Sequence, residues 1–358
     1  MLGHVDVVTF IDGVVSSKEN CDVVYSHADG GQRDKESRAV KFLRMFIAWK
    51  PYAVFPKNNN RAKVVSEIVA KGNYDLIVCR YVPTAFECGL YDYADKLVID
   101  VDDNPMDVER TVSHTARTWR NRLYHSYCAA VIGHALLKIQ HACCFTFYAN
   151  PQQAVYSNSA YLPNIPYYEF DIKTVDFRST DNRLLFVGNM SYGPNLHGVE
   201  TFVRDILPFV RQEVPDAEIH LVGGCNEKAF IERISAIQGV KYMGFVDNLQ
   251  KEYEEARVVV APVFWGAGTN IKVLEAMRMK RPCVTTSYGM RGFVEFFSNN
   301  KEVAIANTSQ EFAAAVVMLL RDENANHAIA NQAFKVVEQN FTREAFNTIV
   351  YNTLSSIV

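Results

Sequence analysis

The chain has 358 residues, 49% of them hydrophobic, and 40 acidic against 37 basic side chains give a formal net charge of −3. That length and apolar content can bury a sizeable core and argue for two domains over one small module. The balance of charge, without long Lys or Arg blocks, excludes sequence-independent nucleic-acid binding, so nucleic acid is not among the expected partners. The eight cysteines include no CxxC pair, which reads as reduced intracellular thiols, several serving as small hydrophobes inside strands. No apolar run approaches the ~18 residues of a membrane span. The N-terminus MLGHVDVVTF also lacks the basic-then-apolar order of a secretory leader, so a cytoplasmic protein is expected.

In chain order, VDVVTF, CDVVY, YDLIVC and KLVIDVDD read as strands, followed by one long helical region from about Met106 to Cys144 and the strand FTFYA. A stretch rich in Pro and turn formers, Pro163 to Asn182, is the linker candidate. From Arg183 the pattern becomes regular: strand RLLFVG, helix PNLHGVETFVRDILPFVRQEV, strand EIHLVGG, helix NEKAFIERISAIQ, strand VKYMGFV, helix NLQKEYEEA and strand RVVVAPV. A glycine-broken loop and an apolar helix follow, then strand PCVTT and terminal helices. Continuous apolar strands joined by helices predict a parallel, doubly wound sheet covered on both faces. The expected fold is α/β with two Rossmann-like domains, residues 1–165 and 166–340, and a C-terminal helix 341–358 packing back on the first domain.

The segment VVVAPVFWGAGTNIKVLEAM has the layout of a ligand site, because strand ends in α/β sheets open into glycine-rich turns that start helices. Gly266 and Gly268 allow close backbone approach, Thr269 is the expected N-cap, and the N–H groups of Asn270, Ile271 and Lys272 should stay unused. Such a helix end attracts phosphate. Glu275 lies about a turn and a half further in and leans back toward the same space. An unpaired buried carboxylate is costly, so it requires a cation, backbone donors or ligand hydroxyls. A ribose diol beside a diphosphate meets that need; a structural ion pair with Lys272 or Arg278, three residues to either side, meets it equally well.

In its second half the sequence resembles the group 1 glycosyltransferases, glycosyltransferase family 4, which have the two-Rossmann GT-B fold. The likeness is carried by RLLFVGNMSYGPNLHGVETFVRDILPFVRQEVPDAEIHLVGG, by VKYMGFV and RVVVAPV, and above all by GAGTNIKVLEAMRMKRPCVTTSYGMRG, between Arg183 and Gly292. YDLIVCRYVPTA, KLVIDVDDNP and PNIP carry it more weakly in the first half. The resemblance implies retaining transfer of a sugar from a nucleoside diphosphate sugar to an acceptor hydroxyl, without a metal or other cofactor. Surface polysaccharide or glycoconjugate synthesis is the expected setting, with a sugar or lipid-linked acceptor as partner. Glu275 matches the second of the family's two glutamates spaced eight apart, the one that binds the donor ribose; the first falls on Ala267. Where the family places an Arg and a Lys after the first strand's glycine, here Gly188, this chain has Asn189 and His197. Lys272 then becomes the diphosphate cation, helped by Arg291. The base is expected at Gly223, Gly224, Gly244, Phe245 and Val246, with Phe245 equally readable as core. The resemblance also implies that the chain opens at the family's second strand, so the N-terminal domain would lack its first strand–helix unit.

VIDVDDNP places Asp100, Asp102 and Asp103 at a strand end, where the family often has a His near the transferred sugar. Asp102 or Asp103 is expected to contact sugar hydroxyls, Asp103 or Asn104 being equally readable as a helix cap before Pro105. A metal-binding Asp-x-Asp of the other glycosyltransferase fold is the runner-up, a binding protein without turnover is the second class, and a GT-B epimerase the third. Arg80 and Tyr81 are further candidates. RTWRNRLYHSYCAAVIGHALLKIQH mixes Arg with aromatics, which fits either an amphipathic packing helix or contact with an inner membrane surface. No histidine pair has HxxxH or HxH spacing, so isolated ones such as His125 and His134 are expected to be satisfied locally, and there is neither a GxSxG elbow nor a Walker A loop. The sequence sets no oligomeric state.

Overall fold

In a computed structural model of the chain, the residues described are 4–9, 21–26, 55, 57–102, 104–116, 118–166, 170, 182–266 and 268–358. Asp103, Ala267 and most of the linker candidate lie outside the described residues.

The β-branched runs of the first half pair in parallel. Strand β1 (Val5–Thr9) lies beside β2 (Cys21–Ser26). Helix α1 (Asn59–Lys71) begins on Asn58, whose side chain accepts the Asn60 and Arg61 N–H groups at 3.0 and 3.2 Å. There follow β3 (Ile77–Arg80), α2 (Val82–Glu87), β4 (Leu97–Asp100), α3 (Pro105–Thr115), α4 (Trp119–Ala142), β5 (Phe145–Tyr148) and β6 (Ser159–Tyr161). Strands β3 to β6 form a parallel sheet in chain order. The single helical region expected from Met106 to Cys144 is two helices. The break comes where Thr118 caps the second by accepting the Asn121 N–H at 3.3 Å, and Ser113 Oγ ties the first to Arg122 O at 3.0 Å. Buried Gln140 fastens α4 to β5, its Oε1 accepting Thr146 Oγ1 at 2.7 Å and the Tyr148 hydroxyl at 2.6 Å. Met1–Tyr148, Gln152–Leu162 and Asn347–Val358 form one compact unit.

The other unit is Ala149–Pro151 with Pro163–Phe346. It holds β7 (Arg183–Val187), α5 (Gly193–Thr201), a π-helical turn at Phe202–Ile206, α6 (Leu207–Glu213), β8 (Glu218–Val222), α7 (Lys228–Ser235), β9 (Val240–Gly244) and α8 (Leu249–Glu255). The sequence predicted α5 and α6 as one helix; the π turn sits just ahead of Pro208, which has no N–H to continue the ladder. The chain continues through β10 (Val258–Ala261), α9 (Ile271–Arg278), β11 (Cys283–Thr285), β12 (Ala304–Ile305), α10 (Ser309–Arg321) and α11 (Glu323–Asn340), with α12 (Arg343–Ile357) last. Thr308 and Glu311 form a capping box at the start of α10.

The strands of this unit make one parallel sheet in the order β12-β11-β10-β7-β8-β9. Alternate residues of the central strands enter two cores. Leu184, Phe186, Val258 and Val260 face one core with Val199, Phe202 and Phe312, while Leu185, Val259 and Ala261 face the other with Tyr253, Val273, Leu274 and Phe341. Helices on both faces are why these strands read as unbroken apolar runs. Each buried Leu, Val or Phe contributes roughly 1.5–3 kcal/mol.

Candidate functional site

From β7 the chain steps outward to β8 and β9, then returns to the opposite side of β7 for β10, β11 and β12. Two turns leaving neighbouring strands in opposite directions open a crevice at their carboxyl ends, the place where α/β sheets bind ligands. Here those ends are Gly188 and Asn189 after β7 and the run from Pro262 to Thr269 after β10.

The β7 side is pinned by backbone. Gly223, leaving β8, has φ +127°, and a Cβ there would lie 2.2 Å from Gly188 O, so only glycine permits the approach. Asn189 turns the chain: its Oδ1 accepts the Ser191 N–H at 2.9 Å and its carbonyl accepts Asn195 Nδ2 at 2.9 Å. Asn195, buried in the first turn of α5, then presents Oδ1 to Lys272 Nζ at 2.5 Å. The Lys272 ammonium also lies 5.0 Å from the centre of the Phe186 ring and beneath Gly188, where a Cβ would stand 3.2 Å from Nζ. Burial pushes this amine down to about 8, against the pull of the Glu275 charge. Lys272 is therefore not a solvated first-turn lysine.

Glu275 is buried, at 6% exposure. Its Oε2 accepts the Tyr253 hydroxyl at 3.1 Å. Its Oε1 is neither hydrogen-bonded nor fully enclosed among the described residues. Burial raises this carboxyl, while the Tyr253 bond and the Lys272 charge pull it back. The structural ion pair weighed from the sequence does not form: among the described residues neither Lys272 nor Arg278 comes within 4.0 Å of Glu275, and Arg278 faces Glu338 at 3.7 Å.

The loop before α9 departs from expectation in detail. The helix covers Ile271–Arg278, and its N-cap is Asn270, not Thr269, with no side-chain cap bond. Thr269 Oγ1 instead accepts Asn164 Nδ2 at 2.8 Å, and Asn270 Nδ2 reaches Gly289 O at 3.1 Å. The Ile271 N–H is used, donating to Thr269 O at 3.2 Å; those of Asn270 and Lys272 have no acceptor among the described residues. Gly266 and Gly268 have φ of +136° and +77°, backbone that a side chain would strain. Tyr288 donates to Gly266 O, and Arg291 donates to the Tyr288 hydroxyl at 2.5 Å and to Gly268 O at 2.9 Å. Arg291 thus braces the loop, a role the sequence did not suggest for it. His197 is exposed beside the rings of Phe264 and Trp265.

Phe245 is 88% exposed, which overturns its reading as core. Its ring edge lies over Gly224, where a Cβ would be 2.8 Å away, while Val246 packs against the core beneath.

In the other unit, Arg80 donates to Asp102 Oδ2 at 2.7 Å and faces Asp100 Oδ2 at 3.6 Å. Tyr81, the residue after β3, and Asp102, the second after β4, have φ of +71° and +48°. Strained non-glycine backbone of this kind gathers at functional sites. Burial lifts Asp100 to about 6 despite Arg80. One guanidinium therefore serves both carboxylates of the Asp-x-Asp. Asn104 caps α3 by accepting the Met106 N–H at 3.0 Å. His125 meets Glu109 at 2.7 Å, as expected of a locally satisfied histidine.

Two site residues escaped the sequence reading, Asn195 and Tyr253. The signal available was their position on apolar stripes, Asn195 with Val199 and Phe202, and Tyr253 with Leu249 and Ala256, where a polar group requires a partner.

The fold defines the class. Sucrose-phosphate synthase from Thermosynechococcus elongatus superposes over 99% of this chain and 90% of its own, with TM-score 0.69 and 15% identity. Anabaena HepE in complex with UDP and glucose does so over 83% and 81%, with TM-score 0.58 and 17% identity. TarM of S. aureus, bound to fondaparinux, alpha-GlcNAc-glycerol and UDP, covers 82% of this chain with 58% of its own, at TM-score 0.60 and 13% identity. These likenesses show the GT-B fold. Residues 181–322 match the family model of glycosyl transferases group 1. An uncharacterized 44.6 kDa protein in the cps region of Klebsiella pneumoniae is 28% identical over 176 residues, 46% of this chain and 44% of that one. The poly(glycerol-phosphate) alpha-glucosyltransferase of Bacillus subtilis is 25% identical over 150 residues, 40% of this chain and 21% of that one. The matched regions span under half of either curated relative.

Proposed function

We propose that this chain transfers a sugar from a nucleoside diphosphate sugar to an acceptor hydroxyl, with retention of configuration and without a metal ion, in the synthesis of a surface polysaccharide or glycoconjugate. The observation that carries the reading is an ammonium desolvated by burial, Lys272, at the switch point of the sheet, beside an acid that keeps one oxygen unused among the described residues. Lys272 and the free N–H groups of Asn270 and Lys272 would hold the diphosphate, with Gly188, Asn189, Gly266 and Gly268 giving close backbone. Glu275 would accept from the ribose hydroxyls. Phe245, exposed beside Gly223 and Gly224, would give the base a face. In the reaction the bond from the anomeric carbon to the diphosphate oxygen breaks and one to the acceptor oxygen forms, and the acceptor proton passes to the leaving diphosphate. A fixed cation at that oxygen is worth orders of magnitude in rate. Asp102 would contact sugar hydroxyls.

The cps-region and poly(glycerol-phosphate) glucosyltransferase relatives support the polysaccharide setting, and the neighbours bound to UDP support a uridine donor. The tip of the α3–α4 hairpin, with Trp119 68% exposed under Arg120, supports peripheral contact with a lipid-linked acceptor. Among the described residues no helix is long and apolar enough to cross a membrane.

The test is a thermal-shift panel of UDP, GDP, ADP and their sugars on the wild type and Glu275→Ala. At 100-fold excess over Kd a binder adds about 2.7 kcal/mol to wild-type stability, and the variant should lose most of that. Equal stabilisation of both proteins would overturn the ribose assignment. Donor binding with no nucleoside diphosphate released to any acceptor would leave a nucleotide-sugar-binding protein without turnover.

A further inference from the structure

We infer that Tyr253 is a positioning residue for nucleotide recognition: its hydroxyl holds one carboxylate oxygen of Glu275 so that the other is presented to the vicinal hydroxyls of a ribose. The inference rests on the nucleotide-sugar reading above and names the device by which that reading gains selectivity for a ribose.

Tyr253 has 0% exposure, and a phenol hydroxyl sealed from water needs a partner. It takes Glu275 Oε2 at 3.1 Å. The terminal torsion of a glutamate is broad and roughly two-fold, so an unbound carboxylate would sample many orientations. A donor fixed on one oxygen selects among them, and here the donor is itself anchored. Arg281, 3% exposed, donates from Nε to Tyr253 O at 2.7 Å and from Nη2 to Glu254 O at 2.7 Å. These are carbonyls at the C-terminal end of α8, where a cation is favoured. The Phe170 ring stands edge-on to the tyrosine, centroids 5.6 Å apart at 73°. Guanidinium, backbone, phenol and carboxylate thus form a chain that ends on the oxygen of Glu275 with no partner among the described residues.

The charge on Glu275 depends on the same contact. Tyr253 from α8 and Lys272 from its own helix both favour the ionised form, while Cys283 of β11 acts on Lys272. An ionised carboxylate accepts from two hydroxyls; a protonated one must donate with one oxygen. Removing the phenol hydroxyl therefore harms diol recognition twice, in orientation and in charge.

The experiment compares binding of UDP, GDP and ADP with that of their 2′,3′-dideoxy forms, by calorimetry, on the full chain. The wild type should prefer the ribose form of its nucleotide by about tenfold or more, as expected for hydrogen bonds to a charged group. Tyr253→Phe should bring that preference to within about threefold, with dideoxy affinity unchanged. Tyr253→Phe added to Glu275→Gln should cost nothing more, since the tyrosine acts only through that carboxylate. Tyr253→His, which returns a ring donor, should recover part of the preference, and it decides the matter if the phenylalanine variant has no folded transition. A folded Tyr253→Phe protein that keeps the full preference overturns the inference and leaves the functional reading standing. A wild type that binds none of the three nucleotides, or ignores the ribose hydroxyls, overturns both.

Discussion

Through Lys272, one side chain would tie the proposed diphosphate binding to pH. Its amine is held near 8 by burial, below the 10.5 of a free lysine, so the unfolded chain carries more protons than the folded one between those values. The ligand-free protein should therefore gain stability as pH rises from about 8 to about 10.5, a gain absent from Lys272→Met. Diphosphate binding should move the opposite way, because it uses the charged form: affinity for UDP or its analogue falls once pH passes about 8. Lys272→Met should bind more than about tenfold more weakly at pH 7 and show no such step. Parallel melts and titrations from pH 6.5 to 10 check both signs. Lys272 and Glu275 were legible in sequence because each is a charge inside an apolar run behind a glycine loop. Asn195 and Tyr253 were not, since their partners stand 77 and 22 residues away along the chain. A polar residue on a buried stripe announces that it needs a partner, never which one.

Among elements, the sequence placed the strands of both halves and most helices, because periods of two and of three to four survive in one dimension. It erred where a local chemical event interrupts a good period. The helix 193–213 carries a π turn ahead of Pro208, and the region 106–144 is split by a threonine cap. It also missed β6, three residues long and too short to show a pattern. The segment after α11 depends on one aromatic centre: Phe341 meets Phe293, Phe296 and Phe297 at 5.6, 5.0 and 5.7 Å. Phe341→Ala should cost about 3–5 kcal/mol through the cavity it leaves. Urea unfolding should show a lower midpoint with little change in slope, and a loss below about 1 kcal/mol would mean that neighbouring rings collapse into the gap.

For the molecule as a whole, the parallel sheet with its return from β9 to β10 decides where chemistry can occur. The Asp100-x-Asp102 carboxylates face one guanidinium, Arg80, and the reaction proposed above is metal-free. Exhaustive chelation should leave the proposed sugar transfer unchanged; loss of activity with recovery on adding Mn²⁺ would favour the metal-dependent reading instead. One-dimensional pattern was enough for the α/β class, the glycine loop, the helix behind it and the placing of Lys272 and Glu275 on that helix. These are short-range facts, written in spacing. Only the tertiary structure decided that Thr269 does not cap α9, that Arg291 braces the loop, that Phe245 stands in solvent, and that Glu275 answers to Tyr253. Each of those depends on which distant groups the strand order brings within 3 to 5 Å, and no one-dimensional period carries that information.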